Sequence, residues 1–263
     1  MREFSFPLHA LGSDAPARIE LPDLAAWIAS IRGTEVDLIS YQTDVRIAAQ
    51  VPSVSIPAAG GSYYLPRLLE AFNAPDAILT NAPELNTAAI ETDISIARKT
   101  AKTCRFSLPS PASLSVTDDY FHDSDELMEA LTDTYAQLGR CMRDNGVSSC
   151  VILGDNPSEI ELERLHGMKY LWSTSASALE TVLEHTRDIV VPGTEISRIA
   201  ELIDSYAIRN VYIKDVDAPC LGAALEIIEC DHIFTAGYAD AEDTKTYWEN
   251  LANLKIQLSD FDS

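Results

Sequence analysis

Short apolar runs, most of them with β-branched residues, alternate along this chain with segments of helical period, and no hairpin dipeptide joins two of the runs. Antiparallel neighbours close through tight turns, whereas parallel strands need crossovers of about a dozen residues or more. That pattern predicts a parallel sheet covered by helices. The runs are Phe4–Leu11, Val36–Tyr41, Arg105–Leu108, Val151–Leu153, Lys169–Trp172, Asp188–Val191, Asn210–Ile213, His232–Thr235 and Leu254–Leu258. Helices are expected over Asp23–Arg32, ended by Gly33, and over Asp123–Asn145, with Ser124 as its cap. Thr174–Arg187, Glu195–Ala207, Leu221–Glu229 and Ala241–Leu254 repeat the helical pattern. The expected fold class is α/β, a single (β/α)8 TIM barrel over residues 1–263 with one run to spare. After the second strand comes a Pro-rich excursion, residues 47–87, carrying Pro52, Pro57, Gly60-Gly61, Pro66, Pro75 and Pro83, with a short helix at Leu65–Phe72. No G-x-G-x-x-G follows a strand, so an open dinucleotide-binding sheet has no support.

Composition narrows the partners. Asp and Glu number 41 against 19 Lys and Arg, a net charge of −22. Such a surface repels phosphate backbones and anionic membranes, which argues against nucleic acid and membrane as partners. The five cysteines, Cys104, Cys141, Cys150, Cys220 and Cys230, form no C-x-x-C pair and read as reduced thiols. With no signal-peptide core near the first residues and no long apolar span, a cytoplasmic location is expected.

In a parallel barrel, ligands bind where the βα loops converge at the carboxyl ends of the strands. The residues there are small, hydroxylic or acidic, a set suited to a polar small molecule with an amino group or to a hard cation. Strand ends also collect Asp, Ser and Gly for turns and caps, so each position carries a structural alternative. Asp155 stands out, because it follows an apolar strand directly in Val151-Ile-Leu-Gly-Asp-Asn-Pro157. Asp155 and Glu195 are the catalytic candidates. Ser13, Asp44, Ser110, Asn156 and Asp240 are the substrate-binding candidates. The five histidines lack metal-ligand spacing, and no metal ligands are assigned.

Several segments, taken in order, resemble the catalytic barrel of cobalamin-independent methionine synthases, within the uroporphyrinogen decarboxylase/methionine synthase-like superfamily. Leu11-Gly12-Ser13 is similar to that family's Ile-Gly-Ser. Val36–Ser40 with Asp44-Val45-Arg46 resembles its second strand and the stretch beyond. Phe106–Leu114 with Asp119-Tyr120-Phe121 resembles its Gly-Pro element, and Val151–Pro157 its Asp-Glu-Pro strand end. Ile233–Asp240 and Ile256–Asp260 resemble its last two strand ends.

The resemblance implies a barrel that uses zinc, held by His, Cys, Glu and Cys, to turn a thiol into a thiolate nucleophile. In this sequence the His-x-Cys position falls near Leu171–Ala176 and the closing Cys beside Asp260, and neither ligand is present. No cofactor is therefore expected. Three readings follow. One is a methyltransferase-like barrel taking a thiol or amino-acid-like small molecule through Ser13 and Asp155. The second is a catalytically silent subunit that partners an active homologue. The third is a Mg²⁺-dependent barrel enzyme using Asp155, Glu195, Asp215 and Asp217.

Overall fold

The computed structural model describes residues 2–14, 16–74, 76–239 and 244–258. Eight parallel strands form two four-stranded sheets. They are β1 (Leu8–Ser13), β2 (Ala58–Gly60), β3 (Arg105–Pro109), β4 (Cys150–Leu153), β5 (Tyr170–Ser173), β6 (Asp188–Pro192), β7 (Asn210–Lys214) and β8 (Ile233–Ala239). One sheet has the order β1-β8-β7-β6 and the other β2-β3-β4-β5. Isolated parallel bridges at His9–Ile56 and Ser13–Gly61 join β1 to the β2 side. At the opposite seam β5 and β6 run side by side, but among the described residues no ladder pairs them.

The ten α-helices of the described residues are α1 (Leu21–Ser30), α2 (Leu38–Gln50), α3 (Leu65–Ala71), α4 (Ala88–Thr100), α5 (Ser124–Asp144), α6 (Glu159–Arg164), α7 (Leu179–His185), α8 (Ile196–Leu202), α9 (Ala218–Ile227) and α10 (Thr244–Ala252). None is long and apolar enough to cross a membrane. The longest, α5, buries Leu131, Tyr135, Leu138 and Met142, residues three or four apart on one face. Burial of each such side chain contributes about 1.5–3 kcal/mol. One apolar core packs the helices onto β2–β5, and a second packs α7–α9 onto β6–β8. Inside the strands, Leu11, Val151, Leu171, Val190, Tyr212 and Ala236 form a separate cluster, each from a different strand.

Four expectations need correction. Val36–Tyr41 is not a strand, because the Asp37 side chain accepts from Ser40 N and starts α2 there. The buried residues of α2 (Thr43, Arg46, Ile47 and Gln50 among them) then follow helical spacing. The second strand lies instead inside the Pro-rich excursion. Ala58-Ala59-Gly60 carries no β-branched residue, and a side chain sets its start: Gln50 Nε2 donates to Ala58 O (2.9 Å) while Ala58 N donates to Gln50 Oε1 (2.7 Å). The last run forms Ile256–Leu258, which pairs antiparallel with Arg2–Phe4 outside the two parallel sheets. The cap of α5 is Asp123 rather than Ser124, since its carboxylate accepts from the backbone of Asp125 and Glu126.

A buried ionic cluster ties α2, α3 and α4 together. Arg67 donates through Nε to Asp93 (2.9 Å), through Nη2 to Asp37 (2.7 Å) and through Nη1 to Glu70 (2.8 Å). Asp93, fully buried, also accepts from Ser40 Oγ (2.6 Å) and the Tyr64 hydroxyl (2.8 Å). The cluster closes the floor of a cleft of about 350 Å³ between these helices. Its charged groups already serve one another, which makes it a clamp on the helices.

Candidate functional site

The carboxyl ends of the strands open into a polar cleft of about 370 Å³ lined by Asp14, Ser62, Ser113, Leu153, Gly154, Asp155, Ser173, Lys214 and Tyr238. Its best-defined wall is a three-residue network. The Asp14 carboxylate accepts from Ser62 Oγ (2.6 Å) and from the Tyr238 hydroxyl (2.8 Å). Burial, followed by the neighbouring Asp14 carboxylate, pushes the Tyr238 phenol up, so it stays a proton donor across the ordinary pH range. Lys214, the last residue of β7, holds its ammonium 5.7 Å from the centre of the Tyr238 ring, within cation–π reach. It is the one basic residue lining the cleft among the described residues. Asp155 is exposed on the facing wall, where its backbone carbonyl accepts from Ser175 N (3.1 Å) and Ser175 Oγ (2.7 Å). These two bonds tie the β4 and β5 loops together at the cleft that Asp155 lines.

The remaining candidates are distributed differently. Ser13 is buried at the end of β1 and donates to Ala239 O (2.6 Å), a bond that fastens β1 to β8. Ser110 is buried too, and its hydroxyl caps the following turn by accepting from Ser113 N (3.3 Å). Asn156 is exposed beside Asp155, with its Oδ1 3.5 Å from Ser175 Oγ. Glu195 stands at the start of α8, beyond β6, and does not line the cleft. Asp44 is not at a strand end. It sits within α2 and accepts from Trp27 Nε1 (2.7 Å) and Thr100 Oγ1 (3.1 Å), joining α1 and α4 to α2. Asp240 lies outside the described residues.

Among the described residues no group of three His, Cys, Asp or Glu side chains is placed to hold a metal ion. Among the described residues the donor set of a zinc thiolate site is not brought together. Cys104 and Cys150 are core thiols whose burial pushes them up to about 11 and about 12, so both are protonated at neutral pH. His9 is not at the mouth of the strands. It lies in the first half of β1 among Tyr212 and Phe234, where burial and the nearby Arg105 push it from 6.5 down to about 3.

That shift gives a testable pH dependence. The folded state holds His9 neutral and the unfolded state does not. Its contribution is therefore complete above the ordinary value of 6.5 and is lost as pH falls from there towards about 3. In low-salt buffer, urea unfolding should show wild type losing about 1–2 kcal/mol between pH 6.5 and pH 5 that His9→Phe retains. Equal losses in the two proteins would show that His9 protonates freely in the folded state.

No family model matches the sequence, and no curated protein matches it. Among solved structures, the chain superposes on a B12-independent methionine synthase from Shewanella sp. W3-18-1 in complex with selenomethionine, with a TM-score of 0.62. The alignment covers 95% of this chain and 96% of that one at 10% identity. The likeness is one of fold, carried over almost the full length of both chains.

Proposed function

We propose that the eight strands close into a methionine synthase-like (β/α)8 barrel whose polar cleft binds a small zwitterion, an amino acid or an amino-acid-like thiol. The observation that carries this reading is the opposition of charges in the cleft. Lys214 suits a carboxylate and Asp155 an ammonium group, while the Asp14–Ser62–Tyr238 network supplies fixed polar atoms in the same cleft. The structural neighbour, described in complex with selenomethionine, adds support. Methyl transfer to a thiol is the chemistry the resemblance implies. Here the chain's own residues bind and orient, with Asp155 the candidate group to accept or hold a proton.

Calorimetric titration with methionine, homocysteine and selenomethionine tests the reading. Saturable binding of at least one is expected. A charge-assisted contact contributes about 1.5–3 kcal/mol. Asp155→Ala and Lys214→Met should therefore each weaken binding by about 10–100-fold. Glu195→Ala and Asp44→Ala, away from the cleft, should leave affinity unchanged. Absence of binding for any α-amino acid, or indifference to both cleft substitutions, would sink the proposal.

A further inference from the structure

At the amino ends of the strands, away from the cleft, two basic side chains are buried with donors unused. Arg105 opens β3 and His9 lies two residues before Leu11 on β1. They are 7% and 5% exposed. One guanidinium nitrogen, Nη2, donates to the Tyr212 hydroxyl (3.3 Å), and Arg105 Cζ sits 5.1 Å over that ring. Arg105 Nε and Nη1 and His9 Nδ1 are buried without a protein partner. The His9 ring is held 5.3 Å from Tyr212 and 4.9 Å from Phe234, centroid to centroid.

A buried guanidinium is ordinarily met by a carboxylate, because an uncompensated charge in a low-dielectric interior is costly. This chain has 41 acidic side chains, yet no described one pairs with Arg105. Arg67, also buried, has three carboxylate partners. The contrast is one of chemistry: the fold supplies counter-charge to Arg67 from within and leaves that of Arg105 to come from solution. We infer that the amino-terminal end of the strand assembly binds one small monovalent inorganic anion of chloride size. Arg105 holds it through a guanidinium N–H without a protein acceptor, and His9 Nδ1–H is the neighbouring donor. Tyr212 and Phe234 wall the position with aromatic surface, which favours a weakly hydrated halide over a multiply charged oxyanion.

The test uses the whole chain. Crystals grown in sodium bromide should show an anomalous peak within hydrogen-bond reach of Arg105. In solution, the melting temperature should rise by about 2–4 °C in chloride relative to gluconate at equal ionic strength. Arg105→Met should remove that difference. If Arg105→Met does not fold, the bromide map and the wild-type chloride titration decide without it. No peak at Arg105, bromide confined to the outer surface, or equal melting in the two salts each overturn the proposal and leave the donors to water.

Discussion

Gly61→Ala is expected to destabilise the protein by about 3–5 kcal/mol, read from the urea midpoint at constant slope. Gly61 has φ +126° and ψ −158°, a region that only glycine occupies without strain. A Cβ there would stand 1.9 Å from Ser13 O and 2.6 Å from Ser13 N. Those are backbone atoms of a buried residue that also bridges to Gly61 and bonds Ala239, so they cannot yield without undoing the β1–β2 junction. Gly222→Ala is the control. It lies within α9, where an alanine methyl would meet nothing within 4 Å, and should be neutral or stabilising by up to about 1 kcal/mol. A cost below about 1 kcal/mol for Gly61→Ala would mean that β1 and β2 do not approach as described.

Asp93→Ala should cost about 3–5 kcal/mol, because it leaves the buried Arg67 facing only its two exposed carboxylates. It also strands the Ser40 and Tyr64 hydroxyls, both of which donate to Asp93. Adding Arg67→Met to Asp93→Ala should recover part of the loss, since it removes the unbalanced charge along with its partner. A double-mutant cycle measures this directly. Additive costs for the two substitutions would show that Asp37 and Glu70, not Asp93, balance Arg67.

The alternation of strand and helix was legible wherever strands carry β-branched residues, as in Ile189-Val190-Val191 or Val211-Tyr212-Ile213. It was not legible at β2, where Ala58-Ala59-Gly60 carries no β-branched residue and a Cβ on Gly60 would stand 2.2 Å from Ser107 O. Val36–Tyr41 misled because the first turn of a helix, started by an Asp cap, shows the same apolar density as a short strand. That misreading carried Asp44 to a strand end it does not occupy. Of the candidate site, Asp155 was readable from the strand running directly into it, whereas Ser62 and Lys214 gave no signal. Ser62 follows the unrecognised strand, and Lys214 is still within its own. Ser13 and Ser110 were correctly placed at strand ends, but their hydroxyls are spent on Ala239 and Ser113, and only the structure reveals which neighbour a hydroxyl reaches.

The seam between β5 and β6 sets how the molecule breathes. Ladders are continuous within each four-stranded sheet, and each sheet carries its own helix-packed core, but among the described residues no ladder crosses this seam. Opening there breaks no ladder among the described residues, so sub-global unfolding should separate β2–β5 from the sheet formed by β1 and β6–β8 as two cooperative units. Because the Asp155–Ser175 tie and the Lys214–Tyr238 pair belong to opposite units, a ligand spanning the cleft would act as a staple between them, and its affinity would be felt as mechanical stiffness of the whole.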